Sequence, residues 1–289
     1  MFILMTEPVK RMKVIANAMT VDVEDYFQVS AFEPIIDRSQ WDSLQHRVEN
    51  NTQRILALFA QNEIKATFFT LGWVAERYPQ LVKQIVEQGH ELACHGYQHT
   101  RVTQQTPEQF RDDVRRAKTM LEDIAGVDVK GYRAASYSIT QDNQQWAHEI
   151  LADVGFQYSS SVYPVKHDLY GIPDAPRYVY QPLAGNTLKE VPITTLNIRG
   201  KNMPCGGGGF FRFYPYAFSR WALRTINQKE KQAAIFYFHP WEIDPEQPRQ
   251  RNISLKTRFR HYLNLGQMQP RLERLLNDFH WDTMENIFL

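Results

Sequence analysis

Short apolar runs alternate with amphipathic helical patterns along most of this chain, and that alternation limits the possible folds more than any other feature. Residues 14–21 read as a strand, and 48–61 as a helix with apolar residues at 48, 55, 56, 58 and 59. A-T-F-F-T-L at 66–71 is β-branched and aromatic, so a second strand follows; 73–88 is helical and Gly89 stops it. A short third strand is expected at 90–94. A helix opens at T-P-E-Q from Thr106, with a capping hydroxyl and proline at its first position, and runs to about Ala125 before Gly126. Residues 130–133 and 156–159 read as strands around a helix at 142–154. Strands separated by helices of this length pair in parallel through right-handed crossovers, which gives an α/β sheet or barrel.

The rhythm stops between about 160 and 215, where prolines 164, 173, 176, 182, 192 and 204 mark a long irregular stretch of the kind that more often serves function than idles. Beyond it come a helix at 215–228, the buried strand A-A-I-F-Y-F at 233–238, amphipathic helices to about 279, and a tail with room for one short edge strand. With 289 residues, 43% of them hydrophobic, the chain can build a packed core. Its 33 basic and 32 acidic residues nearly cancel, which argues against a nucleic-acid partner and confines any charged site to local clusters. Cys94 and Cys205 form neither a disulfide framework nor a C-x-x-C motif. The apolar start M-F-I-L-M is too short for a signal peptide, and no apolar run approaches the roughly 18 residues of a membrane span. These features lead us to expect a cytoplasmic protein.

Chemistry in α/β folds collects at the carboxyl ends of the parallel strands. Four such ends carry titratable groups: Asp22, Glu24 and Asp25 after the first strand, His95 and His99 after the third, Arg133 after the fourth, and His239 after the last apolar one. H-G-Y-Q-H at 95–99 spaces two imidazoles as they fall on one face of a helical turn, and two histidines with one carboxylate form a common metal set that leaves positions for water and substrate. Arg133 beside an unpaired carboxylate would hold it ionised, and His239 is suited to donate a proton near neutral pH. The four glycines 206–209 lack the Lys-Ser/Thr of a phosphate loop, so they mark a flexible or closely approached loop. Cys94 is not expected to act as a nucleophile with His95, since neighbours on a strand face opposite ways.

In this order the residues resemble the polysaccharide deacetylases of the NodB-homology class, carbohydrate esterase family four. Thr20-Val21-Asp22 is similar to that family's Thr-Phe-Asp-Asp motif and implies that Asp22 is the catalytic base, but Val23 stands where a metal-binding Asp is normal. The third metal ligand is therefore open between Glu24 and Asp25, with strand alternation favouring Glu24. His95-Gly96-Tyr97-Gln98-His99 resembles His-Ser/Thr-x-x-His and implies two more ligands. Arg133-Ala134-Ala135-Ser136 resembles Arg-x-Pro-Tyr, which implies that Arg133 orients the base and that the Ser136 N–H serves as oxyanion donor; Phe238-His239 resembles Leu-x-His and makes His239 the acid. The family's Asp- and Trp-bearing fourth motif has no clear match in F-Q-Y-S-S-S-V-Y-P. Longer stretches, D-V-E-D-Y-F-Q-V-S-A-F, H-D-L-Y-G-I-P-D-A-P-R, G-G-G-F-F-R-F-Y-P and F-Y-F-H-P-W-E-I-D-P-E-Q-P-R, resemble the subgroup that accompanies exosortase loci for exopolysaccharide, and that link to an exported polymer leaves attachment at the periphery of the inner membrane open.

The resemblance implies a distorted (β/α) barrel of about seven parallel strands and a single domain over 1–289 with an extension from about 200 packed on it. It further implies a divalent metal, zinc first and cobalt or nickel as alternatives, acting in removal of N-acetyl groups from an N-acetylated glycan or its precursor. Aromatics such as Tyr26, Phe211, Tyr214 and Trp241 are expected to stack on sugar rings. Two other readings are kept: a related-barrel hydrolase of small cyclic amides, and a glycan-binding pseudoenzyme.

Overall fold

The structure is a computed structural model, and it describes residues 15–167 and 170–289. The expected strand start at Val14, the apolar N-terminus, and Asp168 and Leu169 of the H-D-L-Y stretch lie outside the described residues. β1 (Ala16–Val23) is almost wholly buried and has three parallel partners: β2 (Thr67–Thr70), β9 (Ile235–Phe238) and β10 (His280–Asp282). From β2 the sheet continues in parallel through β3 (Glu91–Cys94), β4 (Gly131–Tyr132), β5 (Tyr158–Ser159) and β6 (Lys189–Glu190). This is the expected α/β architecture of parallel strands curled toward a barrel. Its distortion lies between β6 and β9, which no ladder joins among the described residues.

The crossovers are α1 (Val48–Gln61), α2 (Gly72–Arg77) with α3 (Pro79–Glu87), α4 (Pro107–Ala125) and α5 (Gln144–Val154). One helix was expected at 73–88; two form because Pro79 supplies no N–H and drives Tyr78 out of the helical region, to φ −126°, ψ 57°. α4 begins as its sequence dictates: Thr106 accepts from Gln109 N–H, the Gln109 side chain answers, and Gly126 closes the helix at φ 69°.

The stretch 160–215 is less irregular than its prolines imply. Besides β6 it holds a hairpin of β7 (Thr195–Ile198) and β8 (Lys201–Pro204), turned by Arg199 and Gly200 at φ 52° and 83°. The turn dipeptide is Arg-Gly, so the usual Asn-Gly signal was absent. α6 (Gly208–Phe213), α7 (Tyr216–Thr225), α8 (Leu255–Tyr262), α9 (Leu265–Asp278) and α10 (Met284–Phe288) complete the chain.

Close approach explains Gly206, Gly207 and Gly208, while a side chain on Gly209 would meet open space. Gly206 and Gly207 run along β9, where Tyr237 N–H donates to Gly206 C=O and a side chain on Gly207 would strike the Tyr237 ring; one on Gly208 would strike the Glu242 carboxylate. The segment thereby fills the side of the barrel that the ladder leaves open. Because the strands are parallel, the residues after β1, β3, β4, β5 and β9 emerge at one end, and there the titratable groups meet.

Candidate metal centre and catalytic site

Asp22, Thr20 and Arg133 form the floor. Arg133 is fully buried; Nη1 donates to Asp22 Oδ1 at 2.5 Å and to Thr20 Oγ1 at 2.8 Å, and Nη2 to Ser160 Oγ at 3.2 Å. Its guanidinium lies 3.9 Å above the Phe69 ring. A buried cation on one carboxylate oxygen keeps Asp22 in a defined orientation with Oδ2 turned to the site.

Glu24, His95 and His99 come together, all buried, with one ligand atom of each within 4.8 Å of the others. β1 ends at Val23 and Glu24 N–H turns back to Asp22 C=O at 3.0 Å, so Glu24 stays on the face of Asp22. The histidines do not lie on a helical turn as their spacing suggested. They sit in a loop whose Gly96 and His99 take φ 78° and 53°, pinned by Gly72 and Trp73 N–H bonds to Gly96 and Tyr97 C=O and by Tyr97 N–H to Asp113.

His95 Nδ1 donates to Arg133 C=O at 2.8 Å; a carbonyl only accepts, so the lone pair is on Nε2. Burial holds His95 down at about 4, hence neutral and able to ligate. Glu24 Oε2 approaches His99 Nε2 at 2.9 Å yet has no hydrogen-bond partner, and His99 Nδ1 has none either. Burial pushes the Glu24 carboxyl up, but the facing His99 and His239 bring it down to about 2. An ionised carboxylate, two imidazoles and an unsatisfied buried oxygen aimed at one point fit a divalent cation.

Asp25, the alternative third ligand, is elsewhere. Its Oδ2 accepts from Arg47 and Val48 N–H at 2.6 and 2.9 Å, and its Oδ1 from Tyr26 N–H at 2.9 Å. It caps the N-terminus of α1, where four backbone N–H groups lack partners and the helix dipole favours an anion.

His239 follows β9 and faces this group. Its Nε2 is 3.9 Å from Asp22 Oδ2 and 3.6 Å from Glu24 Oε1, and its Nδ1 is 2.8 Å from Glu242 Oε1. Glu242 Oε2 accepts from buried Arg212 Nε at 2.7 Å. Burial opposes charge on His239, but Glu24, Glu242 and Asp22 outweigh it and raise the imidazole to about 9. Glu242 and Arg212 were not singled out from sequence. Glu242 stands three residues after His239 in H-P-W-E, a spacing that was available; Arg212, in F-F-R-F, offered no signal.

Trp241 Nε1 donates to Glu24 Oε1 at 3.2 Å, and its ring stacks on His239 and His261 with centroids 5.1 and 4.3 Å away. It is 6% exposed, and Tyr26 and Phe211 are 1%, so these three rings offer no open face to a sugar, contrary to expectation; Tyr214 alone of the four is partly exposed. Ser136 and Tyr137 take φ 51° and 52°, strained values for non-glycine residues. The turn's own bonds use the N–H groups of Tyr137 and Ser138, to Ala134 and Ala135 C=O, and not that of Ser136, whose hydroxyl meets Ser30 Oγ at 2.8 Å. Cys94 points into the core, its thiol pushed up to about 12 by burial.

Fold and site together define an α/β barrel with a buried centre of two histidines and a carboxylate at the carboxyl ends of its strands. Residues 39–158 match the family model "Polysaccharide deacetylase", and 160–289 match "Domain of unknown function (DUF3473)". The chain thus carries a segment, residues 39–158, that matches the polysaccharide deacetylase family, followed by one that matches a model with no function assigned.

It is similar to a peptidoglycan-N-acetylglucosamine deacetylase of Bacillus cereus, 33% identical over 98 residues, 34% of this chain and 36% of the other. It is also similar to a peptidoglycan deacetylase of Helicobacter pylori, 30% identical over 109 residues, 38% of this chain and 36% of the other. The chain thus spans about a third of the length of these curated relatives. A crystal structure from Mycobacterium smegmatis, of a protein assigned to the polysaccharide deacetylases, shares the fold at TM-score 0.60 and 19% identity over 94% of this chain and 88% of that one. Among the described residues no helix is long and apolar enough to cross a membrane.

Proposed function

We propose that the chain is a metal-dependent N-deacetylase of N-acetylated amino sugars in a polysaccharide or its precursor, within exopolysaccharide synthesis. One observation carries this reading: the Glu24–His95–His99 cluster lies beside an Arg133-bound Asp22, with His239 across from both. A divalent cation held by those three residues, zinc first by its taste for imidazole and carboxylate, supplies Lewis acidity toward the acetyl carbonyl and toward water.

The chain's own groups then divide the proton work. Asp22 takes the water proton on Oδ2, because Arg133 occupies Oδ1. The Ser136 N–H, which the turn's own backbone bonds leave unused, is the donor for the oxyanion. His239 gives the departing amine its Nε2 proton, since Nδ1 is held by Glu242. The amide C–N bond breaks, and acetate and a free amine leave. Glu242, backed by Arg212, is a positioning pair for His239. The curated relatives are named for peptidoglycan, another polymer rich in N-acetylated amino sugars, so the acetamido group is the shared recognition element. Because β6, β9, β10 and His239 come from the second matched segment, we read 1–289 as one working unit.

Acetate release from an N-acetylglucosamine oligomer tests this. Asp22→Asn is expected to lower kcat about 10²–10⁴-fold with metal content unchanged, and His95→Ala to lose both. Ring opening of cyclic imides in place of acetate release, or activity retained in His95→Ala, would reject the reading.

A further inference from the structure

The near-zero net charge conceals a segregation. Residues 191–229 and 247–272 contain twelve of the 33 Lys and Arg and none of the 32 Asp and Glu. The rest of the chain is left with 21 basic against 32 acidic residues.

The same two segments expose large apolar side chains. Leu255, Phe213, Phe259 and Trp221 are 83%, 54%, 54% and 48% exposed. The rings form a connected strip: Phe259 to Phe213 at 6.4 Å, Phe213 to Tyr214 at 5.2 Å, Tyr214 to Phe218 at 4.6 Å and Phe218 to Trp221 at 5.7 Å. Isolated exposed apolar residues are ordinary; a contiguous strip is not.

α8 shows the pattern in one helix. Of its eight residues only His261 is buried, while Leu255 and Phe259, four apart and so on one face, are exposed between exposed Lys256, Arg258 and Arg260. Core packing gives no reason for apolar residues there. Arg249 and Arg251 extend the exposed charge, and Arg220 and Arg224 do so beside the strip, each near Asp278 at 3.0 and 3.9 Å.

We propose that this face, from α6 through α8, docks on an anionic lipid bilayer, its aromatic and Leu side chains entering the headgroup layer and its arginines meeting the surface charge. Apolar side chains ringed by Lys and Arg on a helix too short to span are what lying in that interface requires. Charge complementarity selects a membrane over a second copy of the chain, whose matching face would carry the same positive charge.

The face is tied to the site. Arg212 Nη atoms hold the carbonyls of Arg260, His261 and Leu263 while its Nε holds Glu242, and His261 stacks on Trp241. A docked molecule thus keeps its metal-ligand end next to the headgroups. The docking claim does not depend on the proposed chemistry.

Flotation of the whole protein with phosphatidylcholine vesicles, with and without phosphatidylglycerol, tests it at low salt, and reads no acetate. Binding is expected only to the anionic vesicles, weakened about tenfold or more by Arg258→Gln with Arg260→Gln and also by Leu255→Ser with Phe259→Ser. All four side chains are exposed, so unchanged thermal unfolding separates lost docking from lost fold. Failure to float with anionic vesicles, equal binding by both variants, or a dimer in solution that Phe259→Ser dissociates would overturn the proposal.

Discussion

The proposed role of His239 as proton donor rests on what surrounds it. An imidazole taken out of water ordinarily loses its charge, as buried His95 does, held at about 4, whereas His239 is partly open to solvent. His239 instead rises to about 9 because Glu24, Glu242 and Asp22 overcome burial. The charged form is favoured in the fold, so the stability it contributes is full below the unfolded value of 6.5 and is lost as pH rises through about 9. Activity that needs the imidazolium declines over the same alkaline window. With Glu24's charge engaged by a cation less of that pull remains, and the limb of the loaded protein lies below nine. Glu242→Gln removes one of the three anions, and a pH profile of kcat/KM should show the limb moved to lower pH still. An unmoved limb would detach Glu242 from His239.

At the scale of elements, two adjacent carboxylates are sorted by where a strand ends and a helix begins. β1 carries Glu24 to the candidate metal centre with His95 and His99, and α1 claims Asp25 for its N-terminus. Asp25→Ala is expected to cost about 1–2 kcal/mol of stability, a lost helix cap, with bound metal unchanged, while Glu24→Ala should lose the metal. Denaturant unfolding and metal analysis of both variants check this; metal lost from Asp25→Ala alone would reverse the assignment. Strand alternation made Glu24 the better choice in the sequence, but the capping role of Asp25 was hidden, since α1 starts 23 residues later and only folding brings Val48 N–H to it. The parallel strands, α4 with its caps and the four strand-end groups were likewise legible, because periodicity and turn chemistry are local. The α2–α3 break was written in Tyr78-Pro79 and overlooked. The β7–β8 hairpin and the Arg212–Glu242 link were not legible, one for want of an asparagine-glycine turn, the other because its partners lie 30 residues apart.

Taken whole, the molecule gathers one end of a parallel barrel into a site and sets a basic, aromatic face beside it. Both depend on the C-terminal segment: β9 delivers His239 to β1, and the glycine run lets α6 approach closely enough for Arg212 to reach Glu242. The proposed function stands or falls on whether the Glu24–His95–His99 cluster holds a metal that drives hydrolysis. Titrating zinc into metal-stripped protein while following acetate release from an N-acetylglucosamine oligomer tests this directly. Release that rises with bound zinc and saturates at one ion per chain is the predicted result; release indifferent to zinc, or none at full occupancy, would contradict it.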